Sequence, residues 1–495
     1  MKLRQLLSGL EVPAPSSDVA ITGVAFDSRK VEKGNLFVAV PGTKDDGARY
    51  IADAVKAGAA AVVAEKEPAV GKLPKLVVPS ARKALAIIAA NWFENPAKEL
   101  TLLGVTGTNG KTTTAWLLEA MAQAGGATTG LLGTIANRWG SEKHEPTHTT
   151  PDPLTLHHTF RQMVGAGVEL VVMEVSSHAL AQDRVHGLTY RSAAFTNLTR
   201  DHLDFHGDME SYFQAKRRLF TENLSPGGVA VVNSDDTNAV RIYNEVRGLK
   251  RMAWKFSRSG AGEISAAGVE LSTQGIKGTL KTPAGDIPIK SQLIGAHNLE
   301  NILAAAGVAL SAGFSRRDVQ DGIERCSGVP GRMQRVEGKG VVALVDYAHT
   351  DDALRRSLES ARTVTRGKLI VVFGCGGDRD KGKRPLMGQA AAELSDVPIV
   401  TSDNPRTEDP DDIVAEVVVG LEKAGLRRVG AAKVRSGEKG YLVEADRAEA
   451  ITLAAQLAKP GDTIVIAGKG HEAYQEQNGE KKHFDDLEEA RRALA

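Results

Sequence analysis

The chain has 495 residues, enough for about three domains of roughly 150 residues each. Apolar residues make up 42% and charged residues 25%, and 62 Lys plus Arg against 61 Asp plus Glu leave a net charge of +1, which excludes a global field that would steer a polyanion such as DNA. Only 7 Tyr, 12 Phe and 4 Trp are present, little surface for stacking on single strands, and no apolar run approaches the ~18 residues of a membrane span.

Residues 1–9 carry positive charge but no apolar stretch of signal-peptide length. Cys326 and Cys375 are the only cysteines and lie far apart, too few for a thiolate metal site. These features predict a reduced, cytoplasmic chain, expected to be a monomer. Short apolar runs at 21–24, 36–40, 60–63 and 76–78 alternate with Ala-rich helical stretches at 51–60 and 81–93. They predict a small α/β domain over 1–97, ending at Asn95-Pro96. From 98 to 330 the pattern is that of buried strands (100–105, 170–175, 193–197, 229–233) separated by helices, which argues a mostly parallel sheet covered on both faces. Short alternating runs with glycine turns at 262–290 read as a hairpin insert, and a helix returns at 298–310. Residues 327–332 break all periodicity. Strands at 341–346, 369–373, 399–401 and 463–467 then predict a second open α/β sheet over 331–495, with ligand loops at the carboxyl ends of its strands.

The strongest local signal is Thr106-Gly107-Thr108-Asn109-Gly110-Lys111-Thr112-Thr113, between a strand and a helix. Glycines let backbone wrap a phosphate, and the helix start offers free N–H groups and a positive dipole end. Lys111 neutralises β/γ-phosphate charge and Thr112 reaches Mg²⁺. The strict pattern wants glycine six residues before the lysine; here Val105 stands there, with Gly104 one place early.

Glu174 ends the 170–175 strand, where carboxylates meet a nucleotide-bound Mg²⁺. Ser176, Ser177 and His178 follow it. His202 lies in a second strand-end cluster, Asn197 to Gly207, so a second Mg²⁺ held by Glu174 and His202 is chemically reasonable. Lys216 reads, from its surroundings alone, as an ordinary helical lysine. Asn298 and Asn301 share one helix face and either bind a nucleotide or cap locally. In the last third, three strand-end loops carry mixed charge: 374–384, 401–406 and 468–472. Arg406 offers a two-pronged guanidinium to a carboxylate and Asp403 a partner for an ammonium, a pairing suited to an amino acid.

The 106–112 loop, Glu174-Val175-Ser176-Ser177-His178, Asn197 to Asp204, Gly295-Ala296-His297-Asn298, Asp346-Tyr347-Ala348-His349-Thr350 and Gly374 to Arg384 together resemble the ATP-dependent Mur ligases, over almost the whole chain and in its domain order. The resemblance implies an α/β fold of three domains: a central P-loop mononucleotide-binding parallel sheet, a small N-terminal UDP-binding α/β domain and a C-terminal Rossmann-like domain for the amino acid. It implies an amide ligase of peptidoglycan precursor synthesis using ATP and Mg²⁺. Asp403-Asn404-Pro405-Arg406 resembles the motif of members that add meso-diaminopimelate to UDP-MurNAc-L-Ala-D-Glu; members that add L-lysine differ at the arginine. By the same resemblance Ser28 and Thr43 contact the uridine nucleotide, and His148, Thr149, Thr150, Ser176, Gln182 and Arg184 hold the muramoyl peptide. His148 stands where some relatives have Asn. Lys216 is the lysine the family carbamylates, joining Thr112, Glu174 and His202 as a metal ligand. Asn301, Arg332 and Asp346 are implied as ATP contacts. Arg379, Asp403, Asn404, Pro405, Arg406, Gly468 and Glu472 are implied as the diaminopimelate site. Competing readings are a folylpolyglutamate synthetase-like ligase and, in a different class, an ATP-driven conformational switch.

Overall fold

Three large sheets and two small ones carry the chain in a computed structural model that describes all residues except 43 and 44. The expected contact at Thr43 therefore lies outside the described residues. The first sheet orders Gly23–Ala25, Asn35–Val38, Ala61–Ala64 and Lys75–Val77 side by side, all parallel. Helices Leu3–Leu6 and Ala81–Trp92 cover one face and Ile51–Lys56 the other. Ala81–Trp92 is a good helix locally, because Ser80 caps it through the Lys83 amide and its small apolar residues face the sheet.

The second sheet has eight strands, in the order Met252–Phe256, Leu224–Asn233, Tyr190–Phe195, Thr101–Thr106, Leu170–Glu174, Thr129–Leu132, Asn137–Trp139 and Glu142–His144. The first six are parallel and the last two antiparallel. Both faces are buried, as fully apolar strands such as Leu170–Glu174 require. Helices Lys111–Ala124, Ala296–Ala312 and Arg316–Arg325 pack on one side. Pro153–Gly165, Met209–Thr221 and Thr237–Gly248 pack on the other. The chain leaves Thr101–Thr106 to one side of the sheet first and crosses to the other later, so that strand's carboxyl end is a topological switch point. The expected insert at 262–290 is a three-stranded antiparallel sheet, Ser265–Ser272, Gly275–Lys281 and Ile287–Ser291.

The third sheet orders Gln334–Gly338, Val341–Asp346, Thr463–Ala467, Leu369–Phe373, Val397–Val400 and Leu442–Val443. All pairs are parallel except the first. Helices Asp351–Val364, Lys383–Leu394 and Pro410–Lys423 cover one face, Arg447–Leu457 and Asp486–Leu494 the other. Both cysteines are buried and free, and burial pushes the Cys375 thiol up to about 12, as befits a small residue in a tight place.

Candidate active site

The carboxyl ends of the second and third sheets face one cleft of about 920 Å³. Its walls are the phosphate loop, the Ser176 to His178 and Asn197 strand ends, and the Asp346 to Ser357 segment of the third sheet. The loop conforms to what phosphate binding needs. Gly110 precedes helix Lys111–Ala124 with φ 87° and no side-chain cap, so the first amides of that helix keep their hydrogens free. A Cβ on Gly107 would lie 1.9 Å from Thr196 Oγ1, and one on Gly110 2.3 Å from Asn301 Oδ1. Both positions thus require glycine. Lys111 Nζ rests on the Gly107 and Thr108 carbonyls at 3.1 and 2.9 Å. Burial pushes its ammonium below the ordinary value, against the pull of Glu174 and Asp201.

Glu174 is 1% exposed and fully oriented. Its carboxylate accepts from Thr112 Oγ1 at 3.0 Å and from the Thr134 amide and hydroxyl at 2.9 and 3.0 Å. Gly133 makes room for it, since a Cβ there would lie 2.3 Å from Glu174 Oε1. A hydroxyl and a carboxylate are hard oxygens suited to Mg²⁺ beside phosphate. Arg332 reaches across from the third sheet to place Nη2 3.3 Å from Thr112 Oγ1, its guanidinium over the Tyr347 ring at 4.7 Å. Its Nε is buried with no partner, a donor left for an anion. The donor set fits ATP and its magnesium.

Lys216 departs from the ordinary helical lysine. It is 1% exposed on Met209–Thr221, and its Nζ donates to the Gly107 carbonyl at 2.8 Å. Burial, with the Lys111 charge adding to it, pushes the amine well below its usual value. His202 (φ 53°) pairs with Asp201 at 3.3 Å and packs edge-on to His178, ring centroids 4.7 Å apart. Burial pushes His202 down to about 4, with Asp201 opposing. Among the described residues no three His, Cys, Asp or Glu side chains converge as a ready metal site. His202 and Lys216 line the same cleft.

Thr149, Ser176, Gln182, Arg184 and His148 line the same cleft. Arg184 donates to the Thr150 carbonyl at 2.8 Å and grips Gln182 Oε1 at 3.0 and 2.7 Å. Thr150, fully buried, ties Ser176 to the Glu174 carbonyl. Ser28 is elsewhere, in the short 3₁₀ turn Ser28–Lys30 of the first sheet. Asn301 also lines the cleft, held by Asn298 at 2.9 Å. Asp346 does so as well, but its carboxylate already accepts from Met333 N, Ala348 N and Ser357 Oγ at 2.7, 3.0 and 2.8 Å.

The remaining expected residues form a neighbouring cluster at the ends of Thr463–Ala467 and Val397–Val400. Asp403, the expected partner for an incoming ammonium, already has an ammonium of its own chain beside it. Lys469, fully buried, places Nζ 3.3 Å from Asp403 Oδ1 and 2.7 Å from Asn404 Oδ1. Asn404 in turn donates to Glu472 at 2.8 Å. Burial and nearby Asp403 raise the Glu472 carboxyl. Arg406 (φ 53°) donates to the Gly377 carbonyl at 2.7 Å and lies 3.6 Å from Glu476. Pro405 closes on that loop, where a Gly377 Cβ would meet its carbonyl at 1.9 Å. Gly468 (φ 123°) is backed by Asp403 and Arg447. Arg379 is exposed and touches only the Asp378 carbonyl, at 3.0 Å. Nearby Arg384 serves the fold: it is fully buried and clamped by Glu408 and Glu416 at 2.9–3.0 Å.

The segment between the second and third sheets joins the two sites. Gly331 (φ 64°) lies so close to the Gly468–Glu472 loop that a Cβ would sit 2.1 Å from His471 N, while its carbonyl takes the Tyr347 amide at 2.9 Å. The next residue is Arg332, on the phosphate side.

Three family models match: Mur ligase family, catalytic domain (20–123), Mur ligase middle domain (105–309) and Mur ligase, glutamate ligase domain (331–470). UDP-N-acetylmuramoyl-L-alanyl-D-glutamate--2,6-diaminopimelate ligase of Gloeobacter violaceus is 46% identical over 100% of this chain and 98% of its own. The chain belongs to the Mur ligase family. The ligase of the same name from Geobacter metallireducens is 46% identical over 96% of this chain and 94% of its own. A solved structure of a ligase of that name superposes with a TM-score of 0.71 at 34% identity, covering 100% and 99% of the two chains. MurF from Thermotoga maritima in complex with ADP shares the fold at 21% identity, TM-score 0.60, over 91% and 95%.

Sequence reasoning missed three residues of this Mur ligase site: Thr134, Gly133 and Lys469. Thr134 and Gly133 follow a short strand with no periodic signal. Lys469 was in view as part of a charged loop, but nothing local marks a lysine that will pair with a carboxylate 66 positions away.

Proposed function

We propose that this Mur ligase joins meso-2,6-diaminopimelate to the D-glutamyl γ-carboxylate of UDP-N-acetylmuramoyl-L-alanyl-D-glutamate, using ATP and Mg²⁺, in cytoplasmic synthesis of peptidoglycan precursors. The observation that carries the reading is the single cleft between phosphate loop and third sheet, in a chain 46% identical end to end to relatives of that name. Residues 1–97 take the uridine nucleotide in this reading, 98–330 ATP and 331–495 the amino acid. Among the described residues no helix is long and apolar enough to cross a membrane.

A carboxylate does not form an amide unless it is activated. The γ-carboxylate oxygen attacks the γ-phosphorus of ATP, ADP leaves, and an acyl phosphate results. Lys111 and the free amides of helix Lys111–Ala124 hold the transferred phosphoryl group, and Arg332 adds a cation from the opposite wall. Mg²⁺ supplies charge neutralisation there when bound, with Thr112 and Glu174 to hold one ion and Glu174, His202 and carbamylated Lys216 a second. Burial disfavours the charged Lys216 ammonium and so favours the neutral amine, the form that adds carbon dioxide. The amine of diaminopimelate then attacks the acyl carbon and phosphate departs. Arg406 pairs with the carboxylate that L-lysine lacks, so binding lysine leaves that guanidinium short of a partner.

The test is product mass after incubation with ATP, Mg²⁺, the UDP-muramoyl dipeptide and either diaminopimelate or L-lysine. Expected is a diaminopimelate adduct, with little lysine adduct. Folate-stimulated phosphate release without that adduct would support a folylpolyglutamate synthetase-like enzyme, and ATP hydrolysis indifferent to any amine would support a switch.

A further inference from the structure

The ligation needs a group to strip a proton from the incoming ammonium, and none of the residues placed so far does so. We propose that His349 is the general base of the amine step, through its Nε2. This rests on the ligase reading above.

His349 lies in the run that follows strand Val341–Asp346 and lines the cleft shared with the phosphate loop and Ser176. Its Nδ1 lies 2.8 Å from the Tyr347 carbonyl. A carbonyl only accepts, so Nδ1 carries the hydrogen and the neutral ring keeps its lone pair on Nε2. Among the described residues nothing hydrogen-bonds Nε2. The ring's backbone is pinned as well, since Lys383 Nζ donates to the His349 carbonyl at 2.7 Å.

Its place is the seam between the two sites. The Tyr347 ring packs against both His349, at 4.6 Å, and His471 of the 468–472 loop, at 5.1 Å. A base here sits between the wall that holds the acyl phosphate and the loops assigned to the amine. The charged groups facing it are Lys383 and Arg332, which disfavour imidazolium, and Asp201, which favours it. Burial and Lys383 hold the ring below its ordinary value, which favours the uncharged form with the Nε2 lone pair free.

The protons balance. Nε2 takes one proton from the ammonium, freeing the nitrogen lone pair. That lone pair forms the C–N bond, the C–O electron pair leaves with phosphate, and the second N–H proton goes to the departing phosphate oxygen. Imidazolium returns its proton to water.

The experiment compares acceptors in the wild-type enzyme and in His349→Gln and His349→Asn, at fixed ATP, Mg²⁺ and dipeptide. Hydroxylamine, mostly unprotonated at neutral pH, needs no base and reports acyl phosphate alone. Expected is a roughly hundredfold to ten-thousandfold fall in the diaminopimelate adduct, a hydroxamate yield within about threefold of wild type, and a diaminopimelate rate that rises more steeply with pH in the variants. Equal loss with both acceptors, or no loss with either, overturns the proposal. If wild-type enzyme forms hydroxamate but no diaminopimelate adduct, it is the assignment of the amino acid that fails. That outcome is distinct from a variant effect.

Discussion

Around the phosphate loop, polar groups stand with capacity to spare. Among the described residues Arg332 Nε and Thr106 Oγ1 have no partner, and Lys111 Nζ rests on two carbonyls of its own loop. Around Asp403 nearly every charge is already matched: Lys469 with Asp403 and Asn404, Asn404 with Glu472, Arg406 with Gly377 and Glu476. A phosphate entering the first site gains contacts outright. An amino acid entering the second exchanges partners, so its net affinity is a small difference between large terms, and a ligand lacking one group loses the exchange. On the proposed reading, permissive nucleotide binding and choosy acceptor binding follow from this contrast.

The contrast breaks or sharpens by substitution. Lys111→Met removes the cation at the transferred phosphoryl group, and product formation is expected to fall by about 10³-fold or more. A loss confined to the diaminopimelate KM would contradict the division of labour. Lys469→Met strands the buried Asp403 carboxylate and is expected to cost about 3–5 kcal/mol of stability, read as a lower unfolding midpoint in denaturant, with ATP affinity kept. Little change there would mean that the cluster is less self-matched than its geometry states. Arg406→Ala is expected to lower diaminopimelate kcat/KM about 10²-fold while ATP affinity holds; equal loss of both in substrate titrations removes Arg406 from the acceptor site.

The smallest effect belongs to neither site and sets the baseline for pH work. His157 is 3% exposed on helix Pro153–Gly165, and burial pushes it down to about 4. Its folded value lies below the unfolded one of about 6.5, so its share of stability is complete above that pH. It falls by about 1.4 kcal/mol per unit as pH drops toward 4. His157→Leu is expected to flatten that slope in unfolding curves between pH 7 and 5. An unchanged slope assigns the acid sensitivity to the other buried imidazoles pushed down to about 4, His297 and His471 among those to test next.

Periodicity and glycines made most of the scaffold legible. The predicted strand at 100–105, the loop after it and the helix to 124 are Thr101–Thr106, the Gly107–Gly110 turn and Lys111–Ala124. The short strands were not legible. Glu142–His144 and the hairpin of Tyr474–Gln477 with Glu480–His483 are charged and mostly exposed, so no hydrophobic alternation marks them. Gln334–Gly338 pairs antiparallel at an edge of the third sheet, where no strand was expected. At the site, Lys216 did leave a trace. Tyr212, Lys216 and Phe220 are spaced by four and all buried, a lysine on an apolar stripe. Arg384 left none, because the glutamates that commit it to the fold lie 24 and 32 positions away.

The crossing segment has a consequence for anyone building chimeras. Gly331 is wedged against the acceptor loop, and Arg332 beside it reaches Thr112 of the nucleotide wall. Grafting a third domain from a lysine-adding relative at a junction beyond 332 would seat a foreign loop on a native wedge. A junction placed before 327, so that wedge, Tyr347 and His349 travel with their own loops, is the one expected to transfer amino-acid choice intact.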